Sequence, residues 1–216
     1  EFEGKAAFEG EWVHPQFWPD SLDHADKKVV VIGSGATAMT LVPNMSRQAK
    51  HVTMLQRSPT YVISRPSIDG LANWLRRVLP PKLAYDLVRW RNTIWQQWMY
   101  TLTRVAPGVV KRSLLKKVRA EIGELVDVEK HFTPRYNPWD QRLCLLPDDD
   151  LFRAIQSGKA SVVTDHIEKI TESGVQLVSG AHLEADIIVC ATGLELVVLG
   201  GAEFTLDGEA IDFANE

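Results

Sequence analysis

A chain of 216 residues, 45% hydrophobic and 24% charged, is long enough to bury a sizeable core and too apolar to be disordered. Its net charge of −4 argues against a nucleic-acid binder, which needs a basic excess. Two cysteines without metal-ligand spacing, no apolar run near the roughly eighteen residues of a membrane span and no charged-then-apolar leader point to a reduced, cytoplasmic chain.

The chain opens on Glu1 rather than Met and ends abruptly on AIDFANE, so it reads as a piece of something longer. Residues 8–20, FEGEWVHPQFWPD, crowd two tryptophans, a histidine and two prolines ahead of the first clear strand. That strand is Val29 to Ile32, a β-branched run of the kind a buried parallel strand shows. Glycines break it, and from Ala36 to about Gln48 the pattern is helical, with Pro43 as an expected kink. HVTML at 51–55 is the next strand, so the three elements form one right-handed βαβ unit.

Between about Leu71 and Leu125 long helical stretches follow, punctuated by Pro80, Pro81, Pro107 and Gly108. Leu83, Leu87, Trp90, Ile94 and Trp98 recur at spacings of three and four, which lays them on one helix face and predicts core packing rather than a ligand-binding wall. Lys111, Arg112, Lys116, Lys117 and Arg119 read as a solvated helix face, with a membrane-surface or partner contact as the alternative.

The αβ pattern then returns. One of Asp148 to Asp150 is expected to cap a short helix, LFRAIQS, that Gly158 closes. SVVTDHIEKIT reads as a strand, GVQLVSGAHLEA as a hairpin turning at Ser179 and Gly180, and DIIVC as a buried strand. The expected fold class is therefore α/β: a Rossmann-like NADP-binding domain with a parallel sheet, interrupted by an all-helical insertion. The expected division is a linker over 1–26, the first part of the NADP domain over 27–69, the insertion over 70–135, the second part over 136–198 and the start of a further segment over 199–216.

Chemistry enters at the glycine turn. Gly33, Gly35 and Ala38 fit G-x-G-x-x-A between a strand and a helix, the context this motif needs. The first glycine permits the tight turn, the second lets backbone approach a pyrophosphate, and Ala38 lets the helix pack closely on the strand. Ser34 and Ala36 complete the cradle, and Thr37 in the first helical turn can reach the pyrophosphate. An NAD site would place an acid at the end of the second strand to accept from the ribose hydroxyl, but here Gln56 and Arg57 stand there. A guanidinium forks onto a 2′-phosphate and offers a free hydroxyl no acceptor, so Arg57, with Ser58 beside it, selects NADP; an exposed strand-end charge is the plainer reading.

Phe8, Gly10, His14, Trp18 and Pro19 match F-x-G-x-x-x-H-x-x-x-W-P, which resembles the fingerprint of type I Baeyer-Villiger monooxygenases. Relatives that oxidise nitrogen or sulphur carry a looser version, usually without the tryptophan, so Trp18 favours the Baeyer-Villiger branch. KKVVVIGSGATAMTLVP, HVTMLQRSPTYV, HFTPRYNPWDQRLCLLPDDDLFRAI and ADIIVCATGL are together similar to the ethionamide-activating members of that family. The resemblance implies FAD, NADPH and molecular oxygen, with ketones or soft sulphur groups as substrates. It also assigns Ala191, Thr192 and Gly193 to the marker at the return to a flavin domain, and Arg142 to an arginine over the flavin that stabilises negative charge developing in the reaction. An ion pair with Asp140 is the competing reading of Arg142.

Many family members have a lysine where Gln141 stands, as a second phosphate contact, which leaves the 2′-phosphate leaning on Arg57. His14 is expected as a hydrogen-bonded interdomain histidine that couples domain motion to cofactor binding, and Trp12 and Trp18 as packing in a hinge. No second glycine fingerprint occurs, so the FAD-binding half lies elsewhere, and these residues alone are expected to bind NADP without turnover. A stand-alone NADP-binding module without redox chemistry is the alternative.

Overall fold

The computed structural model describes residues 2–196 together with 200, 202, 205, 206, 209 and 210. In chain order the first elements are β1 (Glu11–Val13), β2 (Lys28–Ile32), α1 (Ala36–Met45), β3 (His51–Gln56) and β4 (Tyr61–Arg65). Four helices follow: α2 (Gly70–Val78), α3 (Pro81–Val105), α4 (Pro107–Ile122) and α5 (Val128–Phe132). Next come β5 (Leu143–Pro147), α6 (Asp150–Gln156), β6 (Ala160–Thr164), β7 (Ile167–Thr171), β8 (Gly174–Leu177), β9 (His182–Glu184) and β10 (Ile187–Cys190). Two short strands, β11 (Thr205–Leu206) and β12 (Glu209–Ala210), pair antiparallel near the end. Most of the expected segment 199–216 lies outside the described residues.

A five-stranded, all-parallel sheet in the order β1-β10-β2-β3-β6 forms the centre. Its strands are apolar runs because both faces are covered. Val29 and Val31 point to one face, where α1, α5 and α6 bring Met39, Val42, Phe132, Leu151 and Phe152. Val30 and Ile32 point to the other, onto Ile170, Val175 and Leu177 of the three-stranded β7-β8-β9 sheet. The molecule is thus α/β, with helices on one side of a parallel sheet and a small antiparallel sheet on the other.

The opening segment is built into this core. β1 is the edge strand beside β10, Trp18 packs against the helical-side core, and Phe8 and Trp12 pack against the opposite one. Gly10 is the point of closest approach: a Cβ there would sit 2.3 Å from Asp186 O and 2.6 Å from the Phe8 ring.

Four local expectations change. SVVTDHIEKIT is two strands in two sheets: Asp165 closes β6 by donating its N–H to Gln56 O (3.0 Å), and β7 turns away onto β8. The α6 start has no side-chain cap; Asp149 enters it with φ 58°, and the Asp148 carboxylate binds Ser67 instead. Gly158, φ 70°, does follow the helix end in the left-handed conformation. Helix α1 runs through the buried Pro43 and stops at Met45, short of Gln48.

The largest change concerns α3. Leu83, Leu87, Trp90, Ile94 and Trp98 do share a face, but they are exposed, Trp90 at 64% and Trp98 at 58%. The packed side runs through Ala84, Trp95, Met99 and Thr103, with the Arg65 guanidinium stacked 3.8 Å from the Trp95 ring. At 3.6 residues per turn the two stripes lie roughly 100° apart, so a helix apolar over a broad arc has only one side covered. Of the α4 basic cluster, Lys117 pairs with Asp149, Arg119 with Glu129, and Lys111 donates to Pro134 O. Among the described residues no helix is long and apolar enough to cross a membrane.

Candidate functional site

The C-terminal ends of β2, β3, β6 and β10 open into one cavity of about 430 Å³. It lies where the strand order reverses, since β2 leads on to β3 on one side while β10 sits on the other; open α/β sheets place ligands at such switch points. Gly33, Ser34, Arg57, Ser58, Arg142, Ala191 and Thr192 line it, together with Ile32 and Leu55.

The glycine turn has local causes. Gly33 has φ 137°, and a Cβ there would lie 2.4 Å from Ala191 O, so only glycine lets the end of β10 press this closely on the turn. Its N–H donates to Leu55 O at 2.8 Å, tying the turn to the end of β3. Among the described residues the N–H groups of Ser34 and Gly35 donate to nothing, and α1 begins without a side-chain cap. The loop and first helical turn thus present unpaired donors and the positive end of a ten-residue helix. Ala38 is fully buried beneath the helix, as the small third position requires. The Ser34 hydroxyl bonds inward, to Ser58 O (3.3 Å) and Thr60 Oγ1 (3.2 Å), which leaves its backbone facing a ligand. Gly35, Ala36, Thr37, Gln141 and Gly193 do not line the cavity.

At the end of β3 the two candidate side chains separate. Gln56 is buried and donates to His131 O (2.7 Å) and Thr164 Oγ1 (2.8 Å), so it braces α5 against β6. Arg57 is exposed and lines the cavity.

Arg142 reaches the same cavity from the loop before β5. Asp140 pairs with Arg104 (2.5 Å), not with Arg142, and neither Arg57 nor Arg142 has an ion-pair partner among the described residues. The loop is held by two tyrosines. Buried Tyr61, its hydroxyl pushed up to about 12 by burial, donates to Tyr136 O at 2.7 Å. Tyr136 in turn donates to Arg142 O at 3.0 Å. Arg142 Nη1 would lie 3.6 Å from a Cβ on Gly35, which puts the guanidinium beside the glycine turn.

Besides the apolar Phe2, Ile32 and Leu55, three lining residues in the β6–β7 connection were not expected from the sequence: Asp165, His166 and Ile167. The break in the β6–β7 run was their one available signal. Hydrogen bonding from Ser179 and from the His166 N–H (2.7 Å) holds the Asp165 carboxyl below the usual carboxylate range.

Two fingerprint residues, His14 and Pro19, line an adjoining cavity of about 480 Å³ together with Trp12 and Phe17, and this cavity shares Phe2 and Thr192 with the first; Phe8, Gly10 and Trp18 do not line it. His14 accepts the Gln16 N–H at Nδ1 (3.3 Å) and donates from Nε2 to Gly193 O (2.9 Å), a pair of bonds that one neutral tautomer satisfies. Gln16, which sequence gave no reason to single out, donates to Glu195 O (3.2 Å) and accepts Glu195 N–H (2.8 Å). The strands entering and leaving the sheet are thereby clamped together.

The chain is 57% identical over 213 residues to "Probable FAD-binding monooxygenase AlmA" of Acinetobacter baylyi, and 52% identical over 212 residues to "FAD-containing monooxygenase EthA" of Mycobacterium tuberculosis. Each match covers 98% of this chain and 43% of the relative, so the chain spans less than half the length of these relatives. Among solved structures, OTEMO in an FAD-bound form superposes with a TM-score of 0.67 at 20% identity, over 93% of this chain and 45% of that one. An oxidised steroid monooxygenase bound to NADP superposes with a TM-score of 0.66 at 21% identity, over 89% of this chain and 43% of that one. At that identity these two show a shared fold. The family model for flavin-binding monooxygenase-like proteins matches residues 1–198, and the chain belongs to that family.

Proposed function

We propose that this chain is the NADPH-binding part of an FAD-dependent monooxygenase of the Baeyer-Villiger type, which transfers one oxygen atom from O2 to a ketone or a soft sulphur group. The observation that carries the reading is one cavity at the strand ends holding a free-donor glycine turn and two guanidiniums, Arg57 and Arg142, that form no ion pair among the described residues. In this reading residues 27–69 and 136–198 are the two parts of the nucleotide domain and 70–135 its helical insertion. Residues 1–26 link to an FAD-carrying lobe, and 199–216 begin the return to it.

The residues suit the cofactor. The cradle of Gly33, Ser34, Gly35, Ala36 and Thr37 offers backbone donors to a pyrophosphate, and Arg57 with Ser58 takes the 2′-phosphate. Gln141 is exposed and outside the cavity, so it adds little. When bound, the nicotinamide supplies hydride and the flavin couples it to O2. Arg142 would orient the nicotinamide and stabilise negative charge developing in the reaction. His14, Ala191, Thr192 and Gly193 join linker to sheet, so nucleotide binding is felt at the hinge.

Isothermal titration with NADP⁺ and NAD⁺ tests the nucleotide half. The phosphorylated form is preferred, and Arg57→Gln raises its Kd roughly 10- to 100-fold while leaving NAD⁺ binding unchanged, as losing one charge-assisted fork should. A preference for NAD⁺ that survives Arg57→Gln would sink the reading. For the redox half, protein expressed with whatever flanks these residues in its gene is yellow and oxidises NADPH in air. A colourless, inert preparation points to a binding module instead.

A further inference from the structure

The α2 and α3 helices carry exposed apolar and aromatic side chains that nothing in the described structure covers. On α2, Leu71, Trp74 and Val78 stand at one-face spacing and are 49%, 57% and 54% exposed. On α3 the stripe ending at Trp98 is equally open. Apolar faces of this extent mark a docking surface rather than scattered surface residues.

Charge identifies the occupant. The chain has a net charge of −4, yet residues 70–105 carry six arginines and lysines against a single acid, Asp86. Arg76, Arg77, Lys82 and Arg89 are exposed and form no ion pair among the described residues. Lys82 and Arg89 lie on the solvent side of the α3 stripe, away from its packed face, where long basic side chains reach outward. A second copy would oppose this basic surface with its own. Protein interfaces tolerate tryptophan and arginine but are depleted in lysine, whereas tryptophan flanked by unpaired arginine and lysine together suits the headgroup level of an anionic bilayer.

We propose that the α2–α3 segment is an interfacial docking surface for anionic phospholipid bilayers, with Trp74, Trp90 and Trp98 at headgroup level and Arg77, Lys82 and Arg89 against the lipid phosphates. The basic cluster on α4 is not that surface, since three of its members are engaged within the protein. The sequence offers a membrane contact only at the α4 cluster, as the alternative to a solvated face; the proposal places such a contact on α2 and α3.

The test is vesicle co-sedimentation of the protein expressed with whatever flanks these residues in its gene. The vesicles are phosphatidylcholine alone, or the same lipid with about one third phosphatidylglycerol. Binding to the anionic vesicles, weakening as salt rises, with tryptophan emission moving to shorter wavelength, is the expected result. The triple variant Trp74→Ser, Trp90→Ser, Trp98→Ser lowers the partition coefficient by about tenfold or more. A glutamine variant at Arg77, Lys82 and Arg89, which leaves every packed side chain in place, removes the salt-sensitive part. Both variants bind NADP⁺ as the parent does, so this test fails separately from the nucleotide reading. No binding to anionic vesicles at low salt overturns the proposal, and so does a triple variant that binds undiminished. Two further results would also overturn it: flavin loss in the triple variant, with the three tryptophans shielded from acrylamide in the parent, which assigns the stripe to the protein's own flanking segments, or dimers that the variant dissolves, which assign it to a second copy.

Discussion

At the scale of single residues, the site depends on what each position excludes. Gly33 combines φ 137° with an approach of 2.4 Å between a would-be Cβ and Ala191 O, so Gly33→Ala meets backbone on one side and strain on the other. A cost of roughly 2–5 kcal/mol is expected, read as a lower denaturant midpoint together with lost NADP⁺ binding. Gly35→Ala meets nothing closer than Arg142 Nη1 at 3.6 Å and should spare stability while still crowding the phosphate cradle. His131 gives a pH signature. Burial, with Lys130 nearby, lowers its pKa from the ordinary 6.5, so between the folded value and 6.5 the unfolded chain binds more protons than the folded one. Stability is therefore complete above 6.5 and lost as pH falls through that window. Urea midpoints at about pH 7.5 and about pH 5.5 should separate for the parent and converge for His131→Asn, which keeps an acceptor or donor near Thr164 Oγ1 (2.8 Å) without titrating. Equal pH dependence in both would remove His131 from the account.

At the scale of elements, periodicity says which residues share a face and not which face is covered. Phe152 on α6 is 1% exposed and touches the sheet core, whereas Trp90 on α3 is 64% exposed. Phe152→Ala should cost about 3–5 kcal/mol, while Trp90→Ser should stay within about 0.5 kcal/mol, an ordering that core packing of the α3 stripe would reverse. Guanidinium unfolding of the two variants decides it. The β4–β5 pair has a similar lesson: its parallel register, Tyr61 opposite Leu143, is what carries Tyr61 to Tyr136 and fixes the loop that presents Arg142.

At the scale of the whole molecule, the opening segment is structural as well as a motif. β1 covers the edge of β10, and Phe8, Trp12 and Trp18 fill both faces of the sheet beside it. Deleting residues 1–13 should strip that edge and lower the melting temperature by several degrees or more, roughly what 1–2 kcal/mol does to a domain of this size. A truncated chain that melts with the parent would show the segment to be only an appended linker. The clamp of His14 and Gln16 on Gly193 and Glu195 makes the same point: whatever moves the entering strand moves the exit too.

The buried strands, the βαβ unit, the glycine turn and the positive charge at the end of β3 were legible in the sequence, because each rests on local spacing or on chemistry that only a few residue types can perform. The tertiary structure decided the matters in which two distant segments compete for one neighbour. It set Asp140 against Arg104 rather than Arg142, turned Gln56 inward and Arg57 outward, split one apolar run into strands of two sheets, and left the tryptophan face of α3 uncovered among the described residues. Periodicity fixes directions along a helix or strand, but burial and pairing depend on which other surface arrives there, and that is a property of the assembled chain.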